Sequence, residues 1–169
     1  TILATVGGNP VTNGFSGAYD VANWTFTNTN ADGNVNTTAA PASIVLTGGN
    51  NGSSSNGNSD YTITLPTNAS ISFDWSYNTG DGAQFDVPRV IVNGTPTNMN
   101  GYSTSGTLSQ SGSMTLTVNA GDTFAFNMFT TDNVFGAATV AVSNLAITTL
   151  PTLLWTATDG GTIVGANNG

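Results

Sequence analysis

The chain has 169 residues with one Arg, nine acidic residues and no His or Cys, so charged residues make up 6% of it and the formal net charge is −8. One cation cannot neutralise a nucleic-acid backbone or an anionic bilayer, which excludes nucleic acid as a partner. Without His or Cys, most transition-metal sites and nucleophile–base pairs are excluded too. No stretch approaches the roughly 20 apolar residues of a membrane helix, so we expect no membrane insertion.

Apolar and polar residues alternate along most of the chain, which predicts β-strands rather than helices. The clearest case is residues 69–77, where Ile71, Phe73, Trp75 and Tyr77 fall on one face. Asn-Gly and Asp-Gly pairs, typical of tight turns, separate the runs. The predicted strands are 22–29, 42–47, 59–65, 69–77, 84–93, 104–109, 112–118, 122–130 and 138–149, with weaker candidates at 2–6, 152–157 and 161–165.

This pattern predicts an all-β fold, an antiparallel two-sheet β-sandwich of jelly-roll type. Three parts are expected: an N-terminal strand or extension at 1–13, a sandwich core at 14–149 and a C-terminal strand extension at 150–169. Residues 48–59 form a low-complexity loop, either a mobile surface loop or a rim that contacts a ligand.

Both ends of the chain carry apolar residues outside the predicted core. They either pair with the edges of their own sheets or add a strand to a neighbouring subunit, because an unpaired edge is a template for another chain. The predicted subunit contacts are Ile2, Leu3, Val6, Leu153, Leu154, Trp155, Ile163 and Val164.

Calcium is the only cofactor that the composition suggests, because it takes about six to eight oxygen ligands from carboxylates, amides and carbonyls. One candidate group is Asn78, Asp81 and Asp86 after the fourth predicted strand, and another is Asp132 with Asn133. The alternative is that these side chains cap turns by bonding their own backbone.

Acid–base catalysis would need a pair of Asp residues, as in glycoside hydrolysis. The best pairs are Asp81 with Asp86, or Asp74 with Asp86, but nothing fixes their separation, and we expect no enzyme. Arg89 shares a strand face with Val87, so a buried guanidinium there predicts a pair with Asp74 or Asp86.

Aromatic rings beside Asn and Asp are typical of sugar-binding sites. Trp24 and Trp75 lie in alternating strands and are expected in the core. Tyr102 follows the Asn100-Gly101 turn and is the predicted ligand-contacting ring.

Three segments, NWTFTNTNADG (23–33), SFDWSY (72–77) and FTTDNVFGAATV (129–140), together resemble a β-sandwich module that recurs in secreted bacterial adhesin-like surface proteins. The resemblance covers about residues 14–149. It implies the fold and an extracellular or cell-surface location, and it implies no catalytic residues.

The leading hypothesis is a structural or adhesive subunit of an extracellular filament, sheath or adhesin. It would self-associate into a homopolymer through non-covalent β-strand contacts. The alternative is a carbohydrate-binding, lectin-like module with a glycan partner, assisted by calcium or acting without it.

Overall fold

The computed structural model describes residues 9–151, which form two antiparallel β-sheets packed face to face. Two 3₁₀ turns, at Gly17–Tyr19 and Val21–Asn23, separate the first two strands. The strands are β1 (Val11–Asn13), β2 (Thr25–Thr29), β3 (Asn34–Asn36), β4 (Ser43–Thr47), β5 (Gly57–Thr64), β6 (Ala69–Asn78), β7 (Asp86–Val92), β8 (Thr95–Asn98), β9 (Ser109–Val118), β10 (Thr123–Thr130) and β11 (Thr139–Thr149).

The strand order is that of a jelly roll, which confirms the predicted fold class. One sheet has the order β3-β4-β11-β6-β9, with β1 pairing beside β4 on β11, and we call it the six-stranded sheet. The other, the five-stranded sheet, has the order β2-β5-β10-β7-β8. From β4 to β11 the chain passes repeatedly between the two sheets and returns to lie beside its own start, as two Greek keys require.

The core between the sheets is built on aromatic rings. Phe126, which is fully buried, contacts the rings of Phe15, Trp24, Phe73 and Phe124 at centroid distances of 5.0–6.3 Å. The Trp24 indole N–H donates to the carbonyl of Tyr19 at 3.1 Å, so its one polar atom is satisfied. Every predicted core face is on the inside, because the pleat sends alternate side chains to opposite faces.

One Asn side chain joins the loops at one end of the sandwich. Asn133 is fully buried, and its amide donates to the carbonyls of Asn30 and Ser55 at 2.8 Å each. The backbone N–H of Gly52 donates to the Asn133 carbonyl at 2.8 Å. The low-complexity loop at 48–59 is therefore tied to its neighbours, and it ends in β5.

The structure corrects two predicted strands. The prediction at 104–109 is wrong, because residues 104–108 form a turn and β9 begins only at Ser109. Three strands were missed, β1, β3 and β8. Of these, β8 follows a tight turn at Asn93-Gly94, where both residues have positive φ. The strand predicted at 22–29 begins at Thr25, because Asp20 caps a 3₁₀ turn before it by accepting the Ala22 N–H.

Both ends of the described region lie side by side. β1 pairs with β11 from Val11↔Thr148 to Asn13↔Ala146, and the Thr149 N–H donates to the Pro10 carbonyl at 2.9 Å. The predicted contact residues at 2–6 and 153–164 lie outside the described residues, so that prediction stays a prediction. No helix in residues 9–151 is long and apolar enough to span a membrane.

The central ring of the core gives a stability prediction. Phe126→Ala should lower the free energy of unfolding by about 3–5 kcal/mol, because it removes a fully buried ring and leaves a cavity. Chemical denaturation measures this. The matched control is Phe135→Ala, whose ring is 82% exposed and should change stability by about 0.5 kcal/mol or less; equal losses in both variants would contradict the assigned core.

Candidate functional site

A polar row crosses the face of the five-stranded sheet that points away from the core. The strand registers place Asp60 beside Asn127, and Asn127 beside Arg89. Thr27 on β2 and Asn98 on β8 complete the row at its two ends. Since neighbouring strands lie about 4.8 Å apart, the five residues span roughly 19 Å.

Arg89 is the one Arg of the chain, and it stands in this row without an ion pair to the predicted acids. Its guanidinium carbon lies 3.8 Å from the centre of the Phe129 ring, a cation–π contact. Its Nε and Nη2 atoms are buried and have no hydrogen-bond partner among the described residues. Both nitrogens are covered by neighbouring side chains, so a ligand oxygen would reach them only after a local side-chain movement.

Asn127 supplies the complementary acceptor. Its amide nitrogen donates to Asp60 at 2.6 Å and to Asn58 at 3.1 Å, while its Oδ1 atom has no partner among the described residues. Burial raises the pKa of Asp60, although the hydrogen bond from Asn127 and the charge of Arg89 lower it. The row thus places unused donors beside an unused acceptor and a carboxylate.

Apolar side chains and a groove lie on either side of the row. On one side Phe129 pairs with Val87, and on the other Ala125 pairs with Ile91. Beyond Ala125, at the edge formed by β2 and β5, is an open groove of about 470 Å³. Its lining residues are Ala18, Asn23, Thr25, Thr62, Ile63, Thr64 and Pro66.

The predicted calcium ligands do not form one site. Asn78 is exposed and donates to the Ser109 hydroxyl at 2.7 Å. Asn133 is buried, and its amide donates to the backbone carbonyls of Asn30 and Ser55. Asp81 and Asp132 are close enough to Asp86 to affect its ionisation. Within residues 9–151 no group of three or more acidic side chains is arranged to hold a metal ion, and calcium binding stays a prediction.

Asp86 is nevertheless unusual among the acidic residues of the chain, because its side chain is almost completely buried. Its pKa is raised to about 6, mainly by desolvation and also by the charges of Asp132 and Asp81, while hydrogen bonds with Thr130 and the Ala138 backbone lower it. Its Oδ1 atom has no partner among the described residues.

Two other predicted roles need correction. Asp74 accepts a hydrogen bond from Asn144 at 2.8 Å on the outer face of the six-stranded sheet, and Asp86 points into the core, so neither pairs with Arg89 or forms a catalytic pair with the other. Tyr102 is half-buried rather than exposed: its ring packs 5.1 Å from Tyr77 and its hydroxyl donates to the Asp86 carbonyl at 2.8 Å. A ligand contact by Tyr102 stays a prediction.

Sequence reasoning missed Asp60, Asn127 and Phe129 as partners of Arg89. The alternation of side chains along each strand places these residues on the outer faces of β5 and β10. Only the register between the strands shows that they lie next to Arg89. It also missed Phe135, whose exposed ring sits at a φ of 65° on the loop after β10. An aromatic residue in the left-handed region is a true conformational outlier, which no sequence pattern marks.

No protein-family model matches the chain, and no curated protein matches it. Among solved structures it is similar to a family 35 carbohydrate-binding module from Clostridium thermocellum (17% identity, 82% of this chain and 97% of that one, TM-score 0.39). It is also similar to the family 11 carbohydrate-binding module of the cellulase Lic26A-Cel5E of the same organism (12%, 86% and 97%, TM-score 0.43). A third is the N-terminal cellulose-binding domain of Cellulomonas fimi β-1,4-glucanase C (14%, 79% and 98%, TM-score 0.40). Similarities of this size assign no family, and the fold assignment rests on the strand order.

The buried acid predicts how stability depends on pH. The folded-state pKa of Asp86, about 6, lies above the value of about 3.9 in an unfolded chain, so the native state holds the proton more tightly. The stabilisation is complete below about pH 4 and is lost as the pH rises through 6, by about 3 kcal/mol. Urea denaturation of the wild type and Asp86→Asn at several pH values in EDTA measures it.

The variant should lose most of this dependence, whereas Asp74→Asn, at a hydrogen-bonded surface acid, should keep it. A wild-type chain that grows more stable from pH 4.5 to 7.5 would contradict the assignment.

Proposed function

We propose that this chain is an extracellular carbohydrate-binding module, whose site is the polar row on the outer face of the five-stranded sheet. The observation that carries the proposal is the position of Arg89, with two unused donor nitrogens beside the unused acceptor of Asn127. Adjacent hydroxyl groups of a sugar both donate and accept hydrogen bonds, so they match such a pair of groups.

The charge of the chain favours a neutral glycan over an acidic one. With a formal net charge of −8 and Asp60 in the row itself, an anionic ligand would meet repulsion that Arg89 alone cannot offset. Asp60 can instead accept a hydrogen bond from a sugar hydroxyl, a charge-assisted bond stronger than a neutral one.

The flanking residues suit the rest of a sugar ring. Val87, Ile91 and Phe129 offer apolar contact to its C–H groups, and ligand sites generally combine such walls with a few placed polar groups. The groove at Thr25 and Thr62 lies beside the β2 end of the row. A site of this length fits an oligosaccharide rather than a single sugar.

Replacing Arg89 tests the site. Arg89→Met keeps the apolar stem over Phe129 but removes every donor, and should weaken binding of a neutral oligosaccharide by about ten-fold to a hundred-fold, the loss expected for hydrogen bonds from a charged group. A glycan array with wild-type protein identifies the ligand, and calorimetry on the best hit measures the change.

The matched control is Ser76→Ala, an exposed polar position on the outer face of the other sheet. It should bind like the wild type. Flat arrays with and without added calcium would exclude carbohydrate binding, and unchanged affinity in Arg89→Met would move the site elsewhere.

A second candidate function is assembly into a surface filament or sheath through strands at the chain ends. The supporting observation is that the Pro10 carbonyl accepts from the Thr149 N–H, so both ends leave the fold at one place beside the six-stranded sheet. A strand from either end would there be close to a neighbouring subunit.

Electron microscopy of the full chain tests this candidate. We expect filaments from the wild type and none from Trp155→Asp, because a charge cannot be buried in a strand contact without a partner. Thr156→Asp adds the same charge at a polar position and should still assemble. A wild-type chain without filaments at high concentration would contradict the candidate.

A further inference from the structure

Strand β9 is a long strand at the edge of the six-stranded sheet. All ten of its residues pair with β6, from Ala69↔Val118 to Asn78↔Ser109, without a register shift. Its other side has no partner strand among the described residues. The remaining edge strands are shorter, with three residues each in β1 and β3, five in β2 and four in β8.

β9 also lacks the features that normally keep an edge strand from pairing with another chain. Native edges are protected by charges, Pro, bulges or short length. The sequence SQSGSMTLTV contains no charged residue and no Pro, and its ladder with β6 is regular. On the core side of the strand, Met114 and Leu116 pack against the core but are only partly buried.

We propose that β9 pairs antiparallel with β9 of a second copy of this chain, which joins the two six-stranded sheets into one continuous sheet. A register centred on Met114 keeps core-side residues opposite core-side residues, because pairing preserves the alternation of faces. Leu116 then lies opposite Gly112 of the second copy, whose core side is covered by the Trp75 ring and the Asn100 carbonyl. On the outer face, Ser113 lies opposite Thr115 of the second copy, a hydroxyl pair of the kind that stabilises sheets.

The charge distribution allows this contact in an acidic chain. None of the nine acidic residues lies on β9. The nearest along the ladder is Asp74, on the neighbouring strand opposite Ser113. Its counterpart in the second copy would be three strand spacings away, about 14 Å, which exceeds the screening length of about 8 Å at physiological salt.

The size of the contact sets the expected affinity. A single added strand on each copy falls below the roughly 1,200–2,000 Å² that stable interfaces bury. The dimer should therefore form at high protein concentration and dissociate on dilution, and sedimentation of the unmodified chain measures this.

The absence of Cys from the sequence makes the register directly testable. Single variants Ser113→Cys and Thr115→Cys place thiols at exposed positions of β9. When the two are mixed in equal amounts and treated with a short bismaleimide, the mixed dimer should exceed either self-linked dimer by clearly more than the two-fold that random pairing gives. A control variant, Thr97→Cys on the edge strand β8, should give at least about ten-fold less cross-linked product, since paired thiols react at millimolar effective concentration.

Three outcomes would overturn the proposal. The first is cross-linking on β9 no stronger than at Thr97. The second is a self-linked dimer of Ser113→Cys that exceeds the mixed dimer, because this places the two strands in another register. The third is a monomer in which the amides of β9 are already protected from hydrogen exchange at low concentration, because this means that the chain covers its own edge.

Discussion

The near absence of charged side chains is the constraint on which the rest of this structure depends. With one Arg and nine acidic residues, the fold cannot rely on ion pairs, and its buried polar groups must be satisfied by amides, hydroxyls and backbone. Asn133 shows the result, since one buried amide joins two loops through the carbonyls of Asn30 and Ser55. Arg89 is an exception, because two of its nitrogens have no hydrogen-bond partner among the described residues.

The same constraint explains why the fold was predictable. Polar positions are Ser, Thr and Asn, so the alternation of apolar and polar residues is clear along β6 and β10, and turn pairs mark the strand ends. The strand β8 was missed because TPTN has no apolar alternation and is fully exposed. Its presence follows from the hairpin turn at Asn93-Gly94 and from pairing with β7.

The candidate site was less predictable, because it depends on registers between strands that are distant in sequence. Alternation correctly places Arg89 on one face of β7, but its neighbours come from β10 and β5, which precede or follow it by about thirty residues or more. Sequence reasoning therefore assigned the wrong acids to Arg89. The packing of Tyr102 was not predictable for a similar reason: its hydroxyl donates to a carbonyl of Asp86, a contact that no local pattern marks.

The two proposed surfaces are compatible because they belong to different sheets. Pairing through β9 extends the six-stranded sheet, while the row around Arg89 lies on the outer face of the five-stranded sheet and stays open. A dimer would thus carry two glycan sites on one rigid scaffold. When both sites reach the same polysaccharide, the second binding event becomes intramolecular, and overall avidity exceeds the affinity of either site. Weak self-association would then strengthen at a glycan surface, where the local concentration of the chain is high.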